Sequence, residues 1–119
     1  MDLTYNYSDC KPQFVTCERH LGQNVYTINF NVIELSEEEQ ENGQKYRYNT
    51  VTLPVGQYDR DTVISTLIRQ KYRDDEMQAI INNYLLDSND EEAIQEFNAM
   101  QEYRKYAKQV ADLFLQAIE

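Results

Sequence analysis

The chain has no tryptophan, one histidine, two cysteines, two prolines and three glycines in 119 residues. Each scarcity removes a class of function. A metal site or a histidine-assisted nucleophile would have to be built on His20 alone, whereas such sites need several convergent side chains. The three glycines form no phosphate-cradling loop, and neither CxxC nor HExxH occurs. No cofactor or metal is therefore expected. No apolar run approaches the roughly 18 residues of a membrane span. The opening MDLTYNYSD has no basic region followed by an apolar run, so it does not read as a signal peptide. With only Cys10 and Cys17 present, an intracellular, reducing compartment and free thiols are expected.

What the chain does have is negative charge. Acids outnumber bases 21 to 11, for a net charge of −10. Residues 1–57 carry 8 acids and 4 bases, residues 58–119 carry 13 and 7, so the excess is diffuse. Such a field opposes binding to DNA, RNA or anionic lipid. Neither nucleic acid nor a membrane is an expected partner. The simplest use of the charge is solubility; the sharper alternatives are a basic partner or a DNA-mimicking surface. Hydrophobic residues make up 41%, the composition of a globular chain. At this length one domain, 1–119, is expected, able to bury roughly 65% of its unfolded surface.

The first half, 1–55, reads as β. Leu3–Ser8 alternates weakly and suits a short strand at a sheet edge. Gln13–Leu21 and Val25–Leu35 flank Gly22 as a hairpin. With Gly22-Gln23 at the turn, Cys17 lies opposite Ile28 and Val15 opposite Phe30, on one face with Tyr26 and Val32. Cys17 is then a small core residue, and Cys10 the exposed thiol. Asn42-Gly43 suits a type I′ turn, which sets Glu38 opposite Arg47 and Val32 opposite Leu53, with Ile33, Leu35, Tyr46 and Tyr48 on the other face. The competing reading is that Ser36-Glu37-Glu38-Glu39 caps a single helical turn.

The second half, 58–119, reads as helix. Pro54 and Gly56 end the last strand, and Asp59 or Asp61 can cap the first helix. Val63, Ile64, Leu67, Ile68 and Tyr72 recur on one helical face. Arg69, Lys71 and Arg73, the only basic cluster, suit a helix C-terminus better than a phosphate or nucleic-acid site. Asp74-Asp75-Glu76 opens a second helix with the stripe Met77, Ile80, Ile81, Tyr84 and Leu85, and a helical hairpin packed on the sheet is expected. Ser88-Asn89-Asp90-Glu91 reads as a capping box. The third helix can continue to Ile118, roughly 43 Å at about 1.5 Å per residue. Met100, Tyr103, Ala107, Val110, Phe114 and Ala117 form a heptad-like seam along it. Docking on the domain core is the favoured use of that seam, and a partner or self-association face is the alternative. The architecture expected is α+β: an antiparallel meander of three or four strands, then three helices packed on one face.

Carboxylates are abundant, but close pairs fall at helix starts or in exposed runs, where capping and solvation explain them. Ten tyrosines could supply an interaction face, and they also suit strands. No enzyme is expected; a small enzyme built on Cys10 or His20 is the weakest reading.

VTLPVGQYDRDTVISTLIRQKYRDDEMQAIINNYLLD at 51–87, followed by MQEYRKYAKQVA at 100–111, resembles small uncharacterised proteins encoded by tailed phages and prophages of gut bacteria, especially Bacteroidales. The marks are an LPxGxY strand exit, LIRxKY, DDEMQAIINNYL and MQxYRxxAK, covering most of 45–111. The resemblance carries no catalytic motif and no assigned site residues. It implies a virion structural, adaptor or assembly role, with phage structural proteins or the chain itself as partners, in the host cytoplasm or incorporated in the virion. The alternative is an acidic inhibitor that mimics nucleic acid and blocks a host defence or DNA-binding protein.

Overall fold

The computed structural model describes residues 5–40, 43–54, 56 and 58–118. Four strands come first: β1 (Asn6–Ser8), β2 (Val15–His20), β3 (Gln23–Glu34) and β4 (Tyr46–Thr52). Three helices come after them: α1 (Arg60–Arg69), α2 (Asp74–Leu86) and α3 (Glu91–Ala117). The fold is α+β. The strands form one antiparallel sheet in the order β1-β4-β3-β2, so the short first strand lies at an edge. Leu3 and Thr4, expected at its start, lie outside the described residues.

The β2–β3 register differs from the expected one by two residues. Val15 faces Ile28 and Cys17 faces Tyr26, because the turn is Leu21-Gly22, with φ of 50° and 79°. Two-residue type I′ turns favour glycine at the second position, and that preference moves the centre back by one residue. A two-residue shift keeps every side chain on its own face. Cys17, expected in the core, is nevertheless exposed. It shares the inner face with Val15, but β2 is the edge strand, and the aromatic packing of Phe114 reaches only as far as Tyr26 of β3. Cys10 is exposed too.

The β3–β4 pairing also differs. Phe30 faces Asn49 while Ile33 faces Arg47, with a bulge between them. Glu38–Arg47 and Val32–Leu53 are therefore not partners, and Tyr46 lies opposite Glu34. The bulge is set by Asn31 at φ 55°, a left-handed conformation that asparagine tolerates better than most residues. Beyond Leu35, the Ser36 hydroxyl donates to Glu39 Oε1 at 2.8 Å and the Glu39 N–H to the Ser36 carbonyl at 3.0 Å. The helical-turn reading of that acidic run is thus the observed one; Asn42 lies outside the described residues.

The core lies between one sheet face and the layer of α1 and α3. Ile28, Phe30, Val51 and Leu53 meet Val63, Leu67, Met100, Val110 and Phe114. The molecule measures 22 Å along its shortest axis, the thickness of two layers. The opposite sheet face is polar: Asn6 Nδ2 donates to Thr50 Oγ1, which donates to Asn29 Oδ1, and Thr27 pairs with Thr52. Half-solvated antiparallel sheets read this way.

Asp59 caps α1, accepting from the Thr62 N–H at 3.1 Å. The expected stripe Val63, Ile64, Leu67, Ile68 and Tyr72 is buried in full. α3 is capped by Asp90, which accepts from the Glu92 N–H; Ser88 stands two residues too early to do so. α3 is continuous across Asn98–Met100. The two sides of the helical layer are tied by Arg60 to Asp112 at 2.8 Å, an exposed pair.

Candidate functional site

The seam on α3 has one use in this fold. Met100, Tyr103, Ala107, Val110 and Phe114 are buried in the chain's own core, and only Ala117 is exposed. Tyr103 donates to the Leu67 carbonyl at 2.8 Å, locking α3 to α1. Tyr106, one helical turn from the seam's Tyr103, accepts from the Asn31 N–H at 2.9 Å. These side chains hold the domain together and are not offered to a partner.

The surface that is offered belongs to α2. No residue of α2 is fully buried. Met77, Ile80, Ile81 and Tyr84 are half-buried, and Tyr84 stacks on Phe97 of α3 with centroids 4.2 Å apart and planes 9° apart. Leu85, expected in the buried stripe, is 72% exposed, and Leu86 is 84% exposed. Each residue turns about 100° around a helix, so the stack that seats Tyr84 carries Leu85 off the contact. α1 packs on the sheet as expected, with Met77, Ile80 and Ile81 of α2 at the margin of the same core, whereas α2 itself lies along α3.

A groove runs between α2 and α3. Its first part, about 380 Å³, is lined by Tyr72, Glu76, Ala79, Ile80, Asn83, Glu96 and Ala99. A second part of similar size continues past Asn83 and Glu96 to Leu86, Asp87, Asp90, Glu92 and Ala93. Among the described residues five carboxylates line it and no lysine or arginine does. Glu76 is engaged by Arg73 at 2.8 Å, and Asp87 and Asp90 accept from backbone N–H groups of the 87–92 turn. Glu96 has no ion pair among the described residues. Tyr72 forms the inner wall and is 7% exposed. Its ring packs edge-on against Tyr103, 5.8 Å away, yet its hydroxyl has no hydrogen-bond partner among the described residues. Burial first, then the negative charges of Glu96 and Glu76, push the Tyr72 phenol above its ordinary value. The hydroxyl therefore stands in the field of both carboxylates.

The basic cluster does not open into a site. Arg69 pairs with Asp74 at 3.5 Å and Arg73 with Glu76, while the Lys71 ammonium lies 5.2 Å from the Tyr103 ring centre. His20 is exposed and lies 3.5 Å from Glu18. Among the described residues no three metal-ligating side chains come together, and no helix is long and apolar enough to cross a membrane. The groove was not visible in the sequence, because it exists only between two helices. The one signal that could have pointed to it is Tyr72, an aromatic just past the end of the Asp59-capped helix and just before one whose first turn is acidic.

No family model, curated protein or solved structure matches the chain.

Proposed function

We propose that the chain is a non-enzymatic protein that acts by holding another protein, as a structural, adaptor or assembly component of a tailed phage or prophage. The observation that carries the binding reading is α2: a helix with no fully buried residue, docked by one seam, presenting Leu85 and Leu86 at its end. Adjacent leucines exposed to this degree beside a groove are more costly to leave in water than scattered surface apolar groups. The phage setting is supported by the resemblance of 51–87 and 100–111. The acidic-inhibitor alternative draws on the net charge of −10, but Asp59, Asp90 and Glu39 are committed to holding their own turns.

The test is retention of phage proteins. Immobilised chain is exposed to a lysate of a Bacteroidales host with an induced tailed prophage, beside a L85S/L86S variant of unchanged circular dichroism. A defined set of head or tail proteins held by the wild type and lost from the variant is the expected result. Equal retention by both, or retention of none, contradicts it.

A further inference from the structure

From the groove beside that helix we infer the chemistry of the partner: a cationic, amphipathic segment whose arginine or lysine head enters between Tyr72, Glu76 and Glu96. The inference rests on the protein-binding reading and adds to it the kind of surface recognised. Three observations meet at one place. Tyr72 is more than nine-tenths buried and keeps a hydroxyl without a partner among the described residues, on the wall of the groove. Glu96 stands opposite with no cation of its own among them. Glu76, on the near wall, has one oxygen taken by Arg73 and a second able to accept. A guanidinium has donors in a planar fork and no acceptor. It can bond both carboxylates while the Tyr72 hydroxyl accepts one further N–H.

The occupant is decided by charge and shape. Among the described residues neither half of the groove is lined by a base, so nucleic acid and anionic lipid are repelled. A second copy presents the same acidic groove and carries the same net charge of −10, so two copies repel one another. Alongside the carboxylates, half-buried Ile80 and buried Ala93 line the groove, with exposed Ala79, Ala99 and Leu86 at its apolar margins. The groove follows α2, 13 residues long, or about 20 Å. A segment with cations on one side and apolar residues on the other, laid beside α2, fits that length and pattern.

The test is an amide-resolved NMR titration of the full chain with a synthetic 14-residue amphipathic peptide bearing arginines on one face and leucines on the other. A second peptide carries citrulline, a neutral isostere, at every arginine. Saturable shifts confined to residues 76–99 are expected, with affinity at least tenfold lower for the citrulline peptide and for E96Q, and about threefold lower for Y72F. Neither substitution removes a hydrogen bond or ion pair among the described residues, and unchanged spectra elsewhere verify the fold. Equal affinity for both peptides would overturn the cation site while leaving apolar docking on α2 intact. Shifts spread over the 37–39 turn and other acids, or no saturable shifts, would overturn the inference outright. The L85S/L86S retention experiment decides the binding reading independently.

Discussion

Asn31 does three things at one position. Its positive φ makes the bulge in β3, its N–H meets the Tyr106 hydroxyl at 2.9 Å, and its side-chain amide donates to Asn49 Oδ1 at 2.8 Å. Asn49 is 2% exposed, so this is a polar junction inside the helix-facing side of the sheet. Leaving the Asn31 N–H without an acceptor removes a hydrogen bond and strands a part-buried donor. Y106F is expected to destabilise the fold by about 1–2 kcal/mol, read as a lower urea midpoint at unchanged slope. Tyr103 gives a second prediction at this scale. Burial, more than its tyrosine neighbours, pushes its phenol well above the ordinary 10.0. The folded chain then keeps a proton that the unfolded chain releases. Stability is fully present below pH 10.0 and falls as pH rises beyond it, because the unfolded state binds fewer protons. Urea midpoints measured on either side of that pH are expected to drop on the alkaline side, and the drop is expected to be smaller in Y103F.

Among the elements, α3 carries the core and α2 carries the surface. Phe114 is fully buried, 5.7 Å from the Tyr26 ring and 6.5 Å from that of Tyr58. F114A is expected to cost about 3–5 kcal/mol, measured by denaturant unfolding, and V110E to leave little folded protein, since it buries a carboxylate without a partner. Both would act on the monomer's own core. α1 was legible in the sequence because an apolar stripe and an acidic cap agreed, Asp59 with Val63, Ile64, Leu67 and Ile68; α3 was legible from its stripe, Met100 through Phe114, while its start was read two residues early, at Ser88 instead of Asp90. The sheet was legible in kind but not in register. A one-residue change of turn centre at Leu21-Gly22 moves each pairing by two, and nothing local marks Asn31 as a bulge. Leu85 was misplaced because a stripe written in sequence spans more of a helix than one neighbour can cover. The groove was illegible for the same reason: it is a property of the α2–α3 crossing, and Tyr72 enters it from outside both helices.

The whole molecule is a flat two-layer body, 49 × 41 × 22 Å, with one polar sheet face, one helical face and a net charge of −10. Its heptad-like seam lies inside. Light scattering after size exclusion is therefore expected to give a mass near 14.2 kDa at both low and high salt; a discrete oligomer at both would contradict a monomer. The contact area for another protein is expected on the helical face, along the groove and the end of α2. The most direct measurement is hydrogen exchange by mass spectrometry on the chain alone and on the chain loaded with whatever proteins the lysate experiment retains. New protection confined to α2 and the first turns of α3, between residues 74 and 99, is the expected result. Protection gained on the Thr27–Thr52 face of the sheet instead, or nowhere, would contradict a binding protein built on α2.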